Sequence, residues 1–376
     1  MRFYLLAGEA SGDARGAEVM RALTVEAATR GETVEFLGAG GPEMRALAPA
    51  IQDWSGEAVV GLWDVLKKYG YFRRQLYAMR DEIAALKPDA VVLIDYPGFN
   101  LRLAKALRQR DPKQRIIHYI SPQVWAWNRR RIPEMARTLD LMLCLFPFEK
   151  ELYEESGLKT VFVGHPLLDS LAVKRITAPR DSKLVGLFPG SRMKEVTRIF
   201  PVMLKTAAEM RKALPELRFE AAAASESLGA VMRAMAGGSE VRIRVGNSHE
   251  LMQQAGSGML ASGTATLEAT YFELPYVLLY KVAPLTWQIG KRLVKVPFLG
   301  IANILAGREI VREYLQEAAE PVAIADELLG MLNYPEKCRE QVAEFREVIA
   351  GLGAGGAAAR AARAIYDEVK PPVGRA

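Results

Sequence analysis

Short runs of aliphatic, aromatic and β-branched residues, closed by Gly, Pro, Asp or Ser, alternate along almost the whole chain with longer stretches of helical periodicity. Runs that are apolar on both faces predict strands covered on both sides. A helix between consecutive strands predicts parallel pairing, so the rhythm specifies an α/β fold of doubly wound sheets. The expected strands are Phe3–Leu6, Val34–Leu37, Ala90–Ile94, Ile116–Ile120, Leu141–Leu145 and Val161–Val163, then Leu184–Phe188, Arg218–Ala222, Val241–Val245, Met259–Ala261 and Tyr276–Tyr280. At 376 residues the chain is long enough for two cores, taking ~150 residues per domain. The expectation is two Rossmann-like domains facing a cleft, residues 1–168 and residues 169–340. C-terminal helices over 341–376 are expected to pack on the first domain or exchange with a second subunit. His165 to Pro179 reads as linker, and the Gly/Ala-rich stretch Gly351–Ala362 as a hinge between helices.

Half of the residues are hydrophobic and a quarter charged, which excludes a disordered or collagen-like chain. Two distant cysteines, Cys144 and Cys338, exclude a disulfide scaffold and fit reduced thiols in a cytoplasmic protein. The first apolar run, Phe3–Ala7, is shorter than the ~7–15 residues of a signal-peptide core, so no export is expected. With no charge-free apolar stretch near the ~20 residues of a membrane span, any membrane contact is expected to be peripheral. The formal charge of +6 is too mild to select a partner class.

Open parallel sheets bind ligands where strands end, so the loops after strands carry the functional reading. Gly8-Glu9-Ala10-Ser11-Gly12-Asp13 follows the first strand; its glycine spacing is not that of a dinucleotide site, and a tight turn with a helix cap explains it equally well. Pro189-Gly190-Ser191-Arg192 opens a long helix, where backbone N–H groups and a forked guanidinium suit a diphosphate. Ser262-Gly263-Thr264-Ala265-Thr266-Leu267-Glu268 repeats that design, with a carboxylate placed to accept from ribose hydroxyls. Asp95, in Asp95-Tyr96-Pro97-Gly98-Phe99-Asn100, is delivered by a buried strand to its mouth, where it can act as general base or cap a helix. No D-x-D pair exists and the three histidines are scattered, so neither metal nor other cofactor is expected.

Together with Ser121-Pro122-Gln123-Val124-Trp125-Ala126-Trp127, Gly164-His165-Pro166-Leu167 and Asn303-Ile304-Leu305-Ala306, these motifs resemble the lipid-A-disaccharide synthase family, bacterial glycosyltransferases of the two-Rossmann (GT-B) class. The resemblance implies transfer of 2,3-diacylglucosamine from its UDP carrier to 2,3-diacylglucosamine 1-phosphate, with inversion. It implies Gly190, Ser191, Arg192, Ser262, Gly263, Thr264, Ala265, Thr266, Glu268 and Asn303 around UDP, and a homodimer that exchanges C-terminal helices. The family pattern places a second acid where this chain has Gly98, so Asp95 is the expected base, with Asp13 and Glu9 in reserve. Other readings of the same fold are a UDP-sugar 2-epimerase, an N-acetylglucosaminyltransferase, or a non-catalytic UDP-binding scaffold at a membrane.

The lipid side follows from the residues themselves. Val59, Val60, Leu62, Trp63, Val65 and Leu66 are bordered by Lys67, Lys68, Arg73 and Arg74, a pattern that suits a helix lying in a lipid headgroup layer, which the family resemblance implies is the inner face of the cytoplasmic membrane. An amphipathic helix packed on its own sheet gives the same pattern. Arg129, Arg130 and Arg131 are candidates for an acceptor phosphate, or a solvated turn.

Overall fold

A computed structural model describes residues 1–54, 62–293 and 296–370. The chain divides into two compact units, Met1–Pro166 with the segment from Leu352 onward, and Leu167–Gly351.

The first unit runs β1 (Arg2–Ala7), α1 (Ala10–Thr29), β2 (Glu35–Gly40), α2 (Pro42–Leu47), β3 (Ile51–Asp53), α3 (Leu62–Leu86), β4 (Ala90–Ile94), α4 (Pro97–Arg110), β5 (Ile116–Tyr119), α5 (Val124–Trp127), α6 (Ile132–Thr138), β6 (Leu141–Cys144), α7 (Pro147–Glu154) and β7 (Thr160–Phe162). Its seven strands pair in the order β3-β2-β1-β4-β5-β6-β7, and every pairing is parallel. β1 and β4 are buried almost throughout because helices cover both faces, which is why they read as unbroken apolar runs. Leu5, Val92 and Ile117 face one apolar layer, and Tyr4, Val91 and Leu93 the other.

The second unit runs α8 (Leu167–Ala172), β8 (Asp181–Phe188), α9 (Met193–Ala213), β9 (Arg218–Ala223), α10 (Glu226–Ala236), β10 (Val241–Val245), α11 (Ser248–Gln254), β11 (Ala255–Ala261), α12 (Thr264–Tyr271), β12 (Tyr276–Tyr280), α13 (Pro284–Leu293), α14 (Ile301–Ala306), β13 (Glu313–Leu315), α15 (Pro321–Asn333) and α16 (Pro335–Gly351). Its strand order is β10-β9-β8-β11-β12-β13, again all parallel.

Three features depart from the sequence expectation. β3 and β13 are three-residue edge strands too short to show alternation. β11 starts at Ala255, before the predicted Met259, because Gly256 and Gly258 hide its pattern. A Cβ on Gly256 would meet the Asp181 carbonyl at 2.8 Å, so these glycines let β8 and β11 approach closely. Finally, the predicted hinge is largely packed helix: α17 (Ala357–Val369) buries Ala357, Ala361, Ala362, Ile365 and Tyr366. Alanine is the strongest helix former, and its small side chain lets α17 lie close on α1. Arg30–Asp367 and Lys159–Glu368 ion pairs, both 2.7 Å, flank that contact. α16 stays with the second unit, where Phe345 is fully buried and Gln341 Oε1 accepts from the Tyr276 amide at 2.8 Å. The boundary therefore falls at Gly351/Leu352 rather than 340/341. Within the expected linker, α8 inserts Leu171 into the second unit's core.

Candidate active site

In each sheet the strand order reverses once, between β1 and β4 and between β8 and β11. Strands on the two sides of a reversal send their helices to opposite faces, which opens a crevice at their carboxyl ends. The loops leaving those four strands are the four selected from the sequence.

At the first reversal, Asp95 and Tyr96 both adopt left-handed backbone, with φ of 48° and 47°. Two consecutive non-glycine residues there cost about 1–3 kcal/mol each and persist only if the surroundings hold them. Asn100 does so: its Nδ2 donates to the carbonyls of Asp95 at 2.7 Å and Ile94 at 3.2 Å. The Tyr96 ring stacks on Phe99, 6.2 Å between centroids, and a Cβ on Gly8 would lie 2.3 Å from it, so the first loop needs glycine to admit that ring. The turn holds Asp95 at the end of β4 with a half-buried side chain. Burial raises its carboxyl above the ordinary aspartate range, the Tyr96 amide opposes this, and the charge of Glu9 adds to the rise. The structure thus brings Asp95 and the exposed Glu9 together. Asp13 is occupied otherwise: it is buried and accepts the amides of Gly41 (2.8 Å), Glu43 (2.9 Å) and Met44 (3.0 Å), capping α2.

Sequence reasoning missed Glu149. It is fully buried, with Oε1 accepting the Trp125 indole N–H at 2.8 Å, and Oε2 accepting the Ser121 hydroxyl at 2.6 Å and the Phe146 amide at 3.1 Å. Burial pushes its carboxyl up to about 7, against the pull of those hydrogen bonds. The signal was a Glu three residues after the helix cap Phe146, with Pro147 between. His165 packs on the Phe146 ring at 5.5 Å, and burial lowers it to about 4, so it is neutral near pH 7.

At the second reversal, Gly190 takes φ of 104° and Arg192, 78% exposed, precedes α9. The amides of Ser191 and Arg192 both reach Glu195 Oε2 at 3.3 Å, and the Arg192 guanidinium reaches Oε1 at 2.9 Å. A carboxylate of the chain itself therefore sits on the groups that the sequence reading selects for an anion. The α12 loop exposes Gly263 and Thr264, half-buries Ser262 and Ala265, and buries Thr266, whose hydroxyl donates to the Gly263 carbonyl at 2.7 Å. Glu268 lies one turn inside, 3.2 Å from His249 Nε2. Asn303 does not belong to this group. It is fully buried, its Nδ2 donates to Val311 O and Glu313 Oε1, and its Oδ1 accepts from the amides of Ile310 and Val311, all at 2.8 Å. Its hydrogen-bonding capacity is spent on folding the segment before β13.

Val59 and Val60 lie outside the described residues, and Leu62, Trp63, Val65, Leu66, Lys67 and Lys68 fall in the first two turns of α3. Further along, Arg73 and Arg74 are exposed, while Met79 and Ile83 bury against the sheet. Of the arginine triplet, Arg131 lines a small polar hollow with Arg102 and Lys105, and Arg129 and Arg130 are exposed. Among the described residues no three His, Cys, Asp or Glu cluster as metal ligands, and no helix is long and apolar enough to cross a membrane.

Two doubly wound parallel sheets, each with its loops gathered at one strand reversal, define the GT-B class of fold. Solved structures agree on the architecture. UDP-GlcNAc 2-epimerase from Neisseria meningitidis superposes with a TM-score of 0.62 at 13% identity, covering 98% of this chain and 100% of that one. MurG from Acinetobacter baumannii superposes with a TM-score of 0.57 at 12% identity, covering 97% and 99%. Sequence similarity narrows the class. Residues 3–364 match the lipid-A-disaccharide synthetase family, and the chain belongs to it. The lipid-A-disaccharide synthases of Geobacter sulfurreducens and Pseudomonas aeruginosa are 39% and 37% identical, covering 97% and 98% of both chains. The chain is thus a disaccharide-forming glycosyltransferase, and the epimerase, N-acetylglucosaminyltransferase and scaffold readings are not favoured.

Proposed function

We propose that this chain transfers 2,3-diacylglucosamine from UDP-2,3-diacylglucosamine to the 6-hydroxyl of 2,3-diacylglucosamine 1-phosphate, giving the β-1,6-linked disaccharide 1-phosphate and UDP. The observation that carries the reaction is the Asp95 carboxylate, held by a strained turn at the reversal of the first sheet. As the acceptor oxygen attacks the anomeric carbon, Asp95 takes its proton and the bond from that carbon to the UDP oxygen breaks on the opposite face, inverting the centre. The departing diphosphate gains charge, which the amide-rich starts of α9 and α12 and the Arg192 guanidinium stabilise. Glu195 must leave those amides for diphosphate to bind. Glu268 receives the ribose hydroxyls and gives up its contact with His249.

The finer assignments follow from the same reading. The chain works at the inner face of the cytoplasmic membrane, with the start of α3 in the headgroup layer. A homodimer forms by exchange of α17, the contact on α1 being available to a partner's helix as it is to the chain's own.

The test is calorimetry with UDP on wild type and Arg192→Ala. Because Arg192 is exposed, the variant keeps its Tm, and UDP affinity is expected to fall at least tenfold. Equal affinity would remove Arg192 from the site, and no UDP binding by wild type would remove the reading altogether.

A further inference from the structure

Two side chains of α7, Glu149 and Tyr153, stand one turn apart on one face of the helix, and both are fully buried. Both reach the loop that leaves β5. Glu149 accepts from the Ser121 hydroxyl at 2.6 Å and the Trp125 indole at 2.8 Å, and the Tyr153 hydroxyl donates to the Pro122 carbonyl at 2.7 Å. The residue just before this gripped segment, Ile120, takes φ of 69°. A β-branched residue is an outlier in left-handed backbone and persists there only where its surroundings hold it. Its amide is tied to the Leu143 carbonyl at 3.1 Å, and the two α7 side chains hold the residues that follow. One residue earlier, the Tyr119 carbonyl accepts the amide of Asp95 at 2.9 Å. A continuous path therefore runs from α7 through the strained end of β5 to the backbone of Asp95.

The strain is concentrated there. Of six non-glycine residues with positive φ among the described residues, Asp95, Tyr96 and Ile120 lie at the ends of the neighbouring strands β4 and β5. An aliphatic side chain would close the same loop without the desolvation cost of a buried carboxyl, so the polar grip answers a demand on geometry. Building on the base proposed above, we propose that Glu149 and Tyr153 are positioning residues for Asp95. They hold the β5 turn in its strained form, so that the Tyr119 carbonyl fixes the Asp95 backbone and with it the line along which the carboxylate meets the acceptor hydroxyl. Being buried, neither side chain meets a substrate itself. A displacement of ~1 Å at a reacting group can cost about 10²-fold in rate, so a small loosening of this path is measurable.

Tyr153→Phe and Glu149→Gln test the assignment, each alone and each combined with Asp95→Asn. Tyr153→Phe keeps the ring and removes one hydrogen bond, so it decides the matter even where Glu149→Gln folds poorly. With both substrates saturating in detergent, kcat should fall at least threefold in Tyr153→Phe and tenfold in Glu149→Gln, with both KM values and UDP affinity within twofold of wild type. Ile324→Val, a core truncation on α15 in the second unit, is the control for lost stability and should keep kcat within twofold. The double variants separate positioning from mere structure. Side chains that act through Asp95 have nothing left to align once its carboxylate is gone, so adding either substitution to Asp95→Asn should change the residual kcat by less than twofold. Losses that multiply in the double variants, or wild-type kcat in Tyr153→Phe, overturn the positioning role and leave Asp95 as the base. Wild-type kcat in Asp95→Asn overturns the base itself, and the positioning role falls with it.

Discussion

The Trp125 indole N–H donates to the buried Glu149 carboxylate at 2.8 Å, and the same carboxylate holds Ser121 and the start of α7. One side chain thereby ties together the loops that leave β5 and β6. Trp125 packs edge-on to Phe148 at 5.0 Å, while Trp127, two residues on, is 50% exposed. The tie fixes the base of the loop that presents Trp127.

A carboxyl raised from 4.5 to about 7 in the fold makes a testable contribution to stability. Between those values the folded chain holds a proton that the unfolded chain has lost, so stability falls as pH rises, by roughly 3 kcal/mol in total. Glu149→Gln removes this titration. In urea denaturation across pH 4.5–7.5, the variant should be most destabilised relative to wild type at the acid end, and the gap should narrow as pH rises toward 7 and level off above it. A gap independent of pH would mean that Glu149 keeps one ionisation state throughout.

Asp13 and Asp95 should separate cleanly. Asp13→Asn keeps an oxygen for the Gly41 and Met44 amides but turns an NH2 toward the Glu43 amide, and should cost about 1–3 kcal/mol of stability, the cost of an unsatisfied buried donor. Asp95→Asn should leave the urea midpoint nearly unchanged and lower kcat by ~10²–10⁴. Full stability in Asp13→Asn with abolished turnover would reverse these roles.

The parallel sheets were legible because strands covered on both faces must be apolar, and the four loops at the strand reversals because Gly, Ser, Thr and Asp cluster where such strands end. Illegible were matters decided by distant partners. Asn303 sits in a recognisable motif, yet its four hydrogen bonds go to Ile310, Val311 and Glu313. Asp13 likewise looks catalytic in its loop, and only the fold brings Gly41, Glu43 and Met44 onto it. Glu149 escaped notice because its donors, Ser121 and Trp125, come from another strand's loop.

Glu9 tunes Asp95 through charge. Burial is the larger cause of the raised carboxyl, and the negative charge of Glu9 adds to it. Glu9→Gln should therefore lower the Asp95 pKa and move the acid limb of the kcat/KM profile to lower pH, while Asp95→Asn should abolish that limb. An unmoved limb in Glu9→Gln would mean that another group controls it.

Gly98 replaces an acid of the family pattern, and the position can accept one. Its φ is not left-handed, and a Cβ there meets nothing within 4 Å. It lies in the first turn of α4, where a carboxylate interacts favourably with the helix dipole. Gly98→Asp should consequently stabilise the fold, by roughly 1 kcal/mol from the combined loss of glycine entropy and gain of dipole interaction. With Asp95 as the base, the new carboxylate should change kcat by less than threefold. A tenfold rise would show that this chain operates with an incomplete catalytic pair, and the base would then have to be sought at the start of α4 rather than at the end of β4.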